Sequence, residues 1–310
     1  MSAEGGTKAI VAALLANTGI AISKFVAAGI TGSASMLAEG VHSVADASNQ
    51  VLLLIGGKAS RKAASPAHPF GYGRERYIYA FIVSIVLFSI GGVYALYEGY
   101  HKISHHEDLK TPLVAVVVLV IAIVLESFSL RTAVKESNAV RGKQTWVQFI
   151  KGSRSPELPV ILLEDIGALV GLILALFGVG LSWITGNVVF DALGTMAIGV
   201  LLVGIAIVLA IEIRSMLIGE SATHEDIAAI EGAIKQDGTS SLIHLKTLHV
   251  GPDELLVAAK VAIDRTETGE QVAAEIDAAE ARIRAAVPKA KLIYIEPDIR
   301  RTDAPAAEGA

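Results

Sequence analysis

The sequence predicts an α-helical membrane protein: six transmembrane helices followed by a small C-terminal cytoplasmic α/β domain of element order αββαβ. Three observations predict it. The 310 residues are 53% hydrophobic and 18% charged, with a mean hydropathy of +0.56, whereas soluble chains run nearer a quarter charged and just under half apolar. Six stretches reach the ~20 mostly apolar residues that a bilayer-spanning helix needs. Charge then divides the chain: through residue 219 there are 16 basic and 14 acidic side chains, and from residue 220 onward 10 basic and 17 acidic, with no apolar run longer than a strand. The expected organisation is a membrane domain over residues 1–218, a cytoplasmic domain over 219–300 and a disordered Ala-, Pro- and Gly-rich end over 301–310. With no cysteine, a disulfide framework, a zinc finger and a cysteine nucleophile are excluded. The acidic tail argues against nucleic acid as a partner.

The six spans are expected at residues 9–30, 35–57, 77–100, 113–130, 158–184 and 188–217. Short turns (Thr31-Gly32-Ser33 and Thr185-Gly186-Asn187) alternate with longer polar connections, the pattern of hairpins entering from one side. Only Lys8 precedes the first apolar run, and no small-residue cleavage site follows it, so no signal peptide is read there. Lys and Arg set the orientation. One side holds 13 of them, including Lys58, Arg61, Lys62, Arg74, Arg76, Arg141 and Arg154, and the other only Lys102 and Lys110. Both termini are therefore expected in the cytoplasm, with the bacterial inner membrane as the expected location.

In the tail, Thr223 with Asp226 three residues on resembles a capping box and starts a helix to about Gln236. Strands are expected at 243–250 and 255–263 around the turn Gly251-Pro252-Asp253. A second helix is expected at 269–286, carrying Val272, Ile276, Ala279 and Ile283 at helical spacing, and a last strand at 292–295, ending before Pro297. A domain of about 80 residues has little core, so a homodimer is expected.

Ionisable groups inside a membrane are expensive, and each is a site candidate. His42 and Asp46 sit four apart, one turn along the same helix face. Together they supply one imidazole nitrogen and one carboxylate, half of a tetrahedral site for Zn²⁺ or a similar ion. The plainer reading is a His–Asp hydrogen bond joining two helices. Glu164 and Asp165 in the fifth span are their natural complement, although adjacent helix residues point about 100° apart. Asn17 reads as a packing amide or a weak ligand, and Asn49 and Gln50 as lining of an inner vestibule. Glu126 suits a proton relay or a buried ion pair equally. Glu39 is placed at the outer mouth, and Glu98 and Asp191 read as structural.

With these features the chain resembles the cation diffusion facilitator family along nearly its whole length. The matching motifs are Thr31-Gly32-Ser33-Ala34-Ser35, His42-Ser43-x-x-Asp46, His68-Pro69-Phe70-Gly71-Tyr72-Gly73 and Tyr97-Glu98-Gly99. Leu162-Leu163-Glu164-Asp165 and Asp46-x-x-Asn49-Gln50 are similar to the mitochondrial zinc-exporter branch. The resemblance implies a ferredoxin-like tail and a central metal site with two ligands on the second span and two on the fifth. His42 and Asp46 match the first pair and Asp165 half of the second, but its partner position holds Ile161, so Glu164 or a water would complete the site. His68 survives in the loop, while Tyr72 stands where many relatives have a second His. His244, His249 and Glu296 form no clear metal cluster in the tail, and Lys260 falls near a strand position where relatives often have His.

The implied activity is export of a divalent cation, Zn²⁺ first, in exchange for protons by alternating access. Spans 1, 2, 4 and 5 would move while spans 3 and 6 and the tail hold a dimer. A free imidazole titrates near 6.5, so His42 is the residue placed to trade metal for protons. The metal is cargo, and no resident cofactor is expected. Mn²⁺, Fe²⁺ or Co²⁺ as cargo, and a non-metal cation exchanger or channel, are the alternatives. An intramembrane metallohydrolase lacks its HExxH motif and nucleophile elbow, so no enzymatic activity is expected.

Overall fold

The structure is a computed structural model that describes residues 2–31, 34–105, 112–235 and 241–299, with the side chains of 2–6, 8, 27–31, 34–42, 45, 88 and 105 excepted. The expected disordered end at 301–310 lies outside the described residues.

Long apolar runs with few breakers make long helices. α1 (Ser2–Thr31), α2 (Ala34–Ala59), α5 (Pro112–Arg141), α7 (Glu157–Thr185) and α8 (Val189–Ile218) are each continuous. The third span is built from α3 (Glu75–Val86), a π-helical stretch (Leu87–Val93) and α4 (Tyr94–His105). Among the described residues, five of these spans are long and apolar enough to cross a bilayer. The remaining one, α2, is 26 residues long and reaches about 39 Å at 1.5 Å per residue. Its polar stripe at Ser43, Asp46, Asn49 and Gln50 lowers its hydropathy, and it packs lengthwise on α1.

Three details depart from the expected spans. α5 continues eleven residues past Leu130, so Arg131 and Lys135 belong to a helix rather than a loop. A short helix, α6 (Trp146–Gly152), sits in the connection before α7, opened by a capping box between Thr145 and Gln148. The widening of the third span into π geometry over Leu87–Val93 is not visible in its hydropathy; such bulges often mark functional sites.

The helices form two groups that also pack on each other. α1 packs on α2 and α5, and α5 on α7; α8 lies along α3, the π segment and α4; and α7 packs closely on α8, as α2 does on α3. Small residues let the second group approach closely. A Cβ on Gly199 would stand 2.7 Å from Leu96 Cγ. The turn after α7 forms as expected, with Gly186 left-handed at φ 67° and Asn187 Oδ1 accepting the Val189 N–H at 3.0 Å.

The tail has the expected order: α9 (His224–Lys235), β1 (Ser241–Gly251), β2 (Glu254–Ala262), α10 (Gly269–Ala286) and β3 (Ala290–Asp298). β2 is central, antiparallel to β1 and parallel to β3. β3 runs through Pro297 instead of stopping before it. Among the described residues it pairs with β2 alone, and an edge strand tolerates a residue without an N–H. Asp226 N–H donates to Thr223 Oγ1 at 3.2 Å, the expected cap of α9. α10 starts on an unforeseen capping box of Thr268 with Gln271. Ile230, Ile234, Leu255, Val257, Ile283 and Ile293 close the tail's core.

The tail docks on the membrane domain's end that carries most of the basic residues. Arg76 bridges Glu157 of α7 and Asp253 of the β1–β2 turn, and Arg154 pairs with Glu220. A Cβ on Gly73 would lie 2.8 Å from the Val250 carbonyl oxygen and 2.9 Å from Gly251 Cα. Only two glycines permit that approach.

Candidate metal-ion site

Four helices of the first group turn polar faces toward one another. On α2, Ser43, Asp46 and Asn49 recur every three residues, so they share a face with Gln50. On α5, Glu126 and Ser129 are three apart, and on α1, Asn17 and Lys24 are seven apart, two turns along one face. Asn17, Lys24, Ser43, Asn49, Gln50, Glu126, Ser129, Glu164 and Asp165 are all buried. Adjacent Glu164 and Asp165 both find polar partners because they diverge toward different helices.

Glu164 faces α2. Its Oε1 accepts from Asn49 Nδ2 at 3.2 Å, its Oε2 from Gln50 Nε2 at 3.0 Å, and Gln50 Oε1 in turn accepts from Asn17 Nδ2 at 3.4 Å. Asp165 faces α5, where its Oδ2 accepts from Ser129 Oγ at 2.9 Å. Glu126 lies beside Asp165, and Asp46, Glu126, Glu164 and Asp165 are close enough to feel one another's charge. Asn49 Oδ1 is buried without a hydrogen-bond partner. A cavity of about 200 Å³ starts at Asn17, Asp46, Glu126 and Glu164 and runs past the π segment's Leu87 and Gly91 toward Glu98, Lys102 and Asp191, away from the tail.

The sequence-predicted residues thus separate. Asp46, Glu126, Glu164 and Asp165 converge, with Asn17 and Asn49 bonded around them. His42 lies in α2 one turn before Asp46, and its side chain is outside the described residues. Glu39 is likewise outside them. Ile161 is fully buried among apolar side chains. His68 is exposed on the loop facing the tail, its ring 4.7 Å from that of Tyr72, and it does not line the cavity that Asp46, Glu126 and Glu164 line. Among the described residues no three His, Asp or Glu side chains are already arranged around one ion position. Asp191, read as structural, pairs with Lys102 at 3.3 Å, and both it and Glu98 line the cavity.

Two members of the site were missed. Lys24, 4% exposed, donates from Nζ to Ser43 Oγ at 2.9 Å. Ser129 anchors Asp165. Both carried a signal: Lys24 stands seven residues after Asn17 within an apolar run, and Ser129 three after Glu126.

In the tail, His244 is exposed and pairs in register with Lys260. Lys260 Nζ is engaged by Glu296 at 2.9 Å and Asp298 at 3.1 Å, so the acids near His244 already have a cation. His249 is buried at 1% exposure, its Nδ1 3.4 Å from the Gly251 oxygen and its Nε2 without a partner. Burial pushes the His249 pKa down, and the nearby Lys289 and Arg154 push the same way. Burial opposes ionisation of Asp226, but hydrogen bonds from Lys289 and Thr223 outweigh it and hold that carboxyl below its usual range.

Comparison with known proteins identifies the family. The family model described as the cation efflux transmembrane domain matches residues 10–218. The mitochondrial proton-coupled zinc antiporter SLC30A9 of Homo sapiens is 32% identical over 264 residues, covering 84% of this chain and 46% of that protein. Metal tolerance protein C4 of Arabidopsis thaliana is 28% identical over 257 residues, 82% of this chain and 56% of its own. The magnetosome protein MamB of Magnetospira sp. is 25% identical over 244 residues, 78% of each chain. This chain spans about half the length of the first two. A matching model that covers residues 10–218, over helices that bring Asp46, Glu126, Glu164 and Asp165 together, makes this multi-pass membrane chain a member of the cation efflux, or cation diffusion facilitator, family, with its resemblance to the mitochondrial branch.

Proposed function

We propose that the chain is an antiporter that moves a divalent metal cation, zinc foremost, out of the cytoplasm in exchange for protons. The observation that carries this reading is the meeting of Asp46, Glu126, Glu164 and Asp165 from α2, α5 and α7, the first three of them lining one cavity. Such a concentration of carboxyl groups in a low-dielectric interior calls for positive charge, supplied by a metal ion in one state and by protons in another. His42, Asp46 and Asp165 are the proposed ligands, with Glu164 and the amides of Asn49 and Asn17 around them and Glu126 accepting protons. The names of the human and plant relatives point the same way.

Alternating access would move the α1–α2–α5–α7 group against α3, α4 and α8, which would hold a homodimer together with the tail. An antiporter needs an energised membrane, here the bacterial inner membrane, with both termini cytoplasmic. Oxygen-rich donors also suit Mn²⁺, Fe²⁺ and Co²⁺. A second reading, a channel for non-metal cations, shares the carboxylates but requires neither saturation nor proton counterflow.

Purified protein in proteoliposomes with an imposed pH gradient tests the proposal. Zinc flux should saturate, drive opposing proton movement, yield to competition by other preferred metals, and vanish in His42→Ala and Asp46→Ala with folding preserved. Wild-type flux in the Asp46→Ala variant would remove the site.

A further inference from the structure

We infer that Lys24 is a built-in competitor of the transported cation, a tethered ammonium that weakens metal binding while the cavity opens away from the tail. The inference rests on the proposed reading of the acid cluster as a metal site. Lys24 is on α1, one of the four helices that enclose the acids, and it is 4% exposed. Its Nζ is fixed by a 2.9 Å hydrogen bond to Ser43 Oγ on α2. Ser43 precedes Asp46 by three residues, so the ammonium is anchored one turn from a proposed ligand and on the same helix face. Lys24, Ser43, Asp46, Glu126 and Glu164 line the same cavity.

A lysine buried this deeply within a membrane domain is expensive, and a lipid-facing or snorkelling role is ruled out by its burial. Its position gives that charge a use. Like charges in a medium of low effective dielectric repel strongly over short distances, so an ion entering this cavity meets a resident cation that lines it together with Asp46, Glu126 and Glu164. Binding stays weak enough for release along the cavity toward Glu98 and Asp191. A lysine whose role is only to join α1 to α2 would have the opposite signature: its loss would loosen the site and weaken binding.

The test is zinc binding to the purified full-length protein in nanodiscs, by isothermal titration at low ionic strength. Lys24→Gln should tighten binding by about tenfold or more, slow zinc release into the outer medium, and leave Lys24→Arg near wild type. Unchanged or weaker binding in Lys24→Gln overturns the inference. Should Lys24→Gln fail to fold, the charge-balanced pair Lys24→Gln with Glu126→Gln decides: it should bind at least tenfold tighter than Glu126→Gln alone, and equal affinity overturns the inference. Asp46→Asn separates the two levels. If wild type and Asp46→Asn bind zinc alike, the metal site itself is wrong. If Asp46→Asn abolishes binding while Lys24→Gln behaves as wild type, the site stands and only the role of Lys24 falls.

Discussion

Gln50 of α2 and Glu164 of α7, 114 residues apart in the chain, are joined by a 3.0 Å hydrogen bond inside the bundle. Gln50 is fully buried and also accepts from Asn17, so one side chain ties three helices. Removing it leaves a buried carboxyl oxygen without its donor. Gln50→Leu is expected to lower stability by about 1–2 kcal/mol, since bonds to carboxylates are worth more than average but membrane bonds less. Thermal unfolding in detergent measures it, and an unchanged midpoint would show that the network carries no stability.

Glu164→Gln should behave differently. The new amide would oppose one donor, but Asn49 can turn over and offer its Oδ1, which is buried without a partner. Stability should therefore stay within about 0.5 kcal/mol of wild type, although one carboxyl charge is lost. If Glu164 takes part in cation exchange, zinc flux falls at least tenfold with no change in the unfolding midpoint. Flux and midpoint both at wild-type level would make Glu164 a packing residue.

The contrast between these two variants shows how far the sequence could be read. Asp46, Glu164, Asp165 and Glu126 were legible because a carboxyl inside an apolar run has no inexpensive alternative explanation. The amides were legible only as lining, since Asn and Gln join helices in many settings; that Glu164 holds two of them depends on how α2 rotates against α7. Lys24 is hard to read because basic residues chiefly set orientation from the loops, and a lone lysine in an apolar run looks like one whose head reaches the membrane surface. α10 was read at its observed limits from its spacing, while β3 was cut short at Pro297, since an edge position follows from sheet order and not from local sequence. The π segment depends on how α3 and α4 pack on α8.

Tail docking depends on Gly73 and Gly251. Gly73→Val would drive its side chain into the Val250 carbonyl and Gly251, and neither backbone can yield without parting the Arg76–Asp253 contact nearby. The chain contains no cysteine, so spin labels at Lys62→Cys and Lys291→Cys, which line opposite walls of the cleft between the two parts, report the separation directly. A longer, broader distance distribution is expected in Gly73→Val. An unaltered distribution would mean that the close approach does not hold the tail.

Acid should weaken the tail through His249. Its folded-state pKa lies below the ordinary value because of burial, with Lys289 and Arg154 adding repulsion and Asp226 opposing them. Above about pH 6.5 the ring is neutral in both folded and unfolded chains, and its contribution is fully present. As pH falls below that value, the unfolded chain takes up a proton that the folded one refuses, so stability declines until the folded pKa is passed. Asp226, held low by Lys289 and Thr223, adds a loss only near pH 4 and below, where its unfolded counterpart protonates. Hydrogen exchange of β1 to β3 at pH 7, 6 and 5, corrected for intrinsic rates, should show protection falling with acid in wild type. His249→Leu, which replaces the ring and its partnerless Nε2 with an apolar side chain, should flatten that dependence between pH 7 and 5. An equal slope in the variant would assign the acid sensitivity elsewhere.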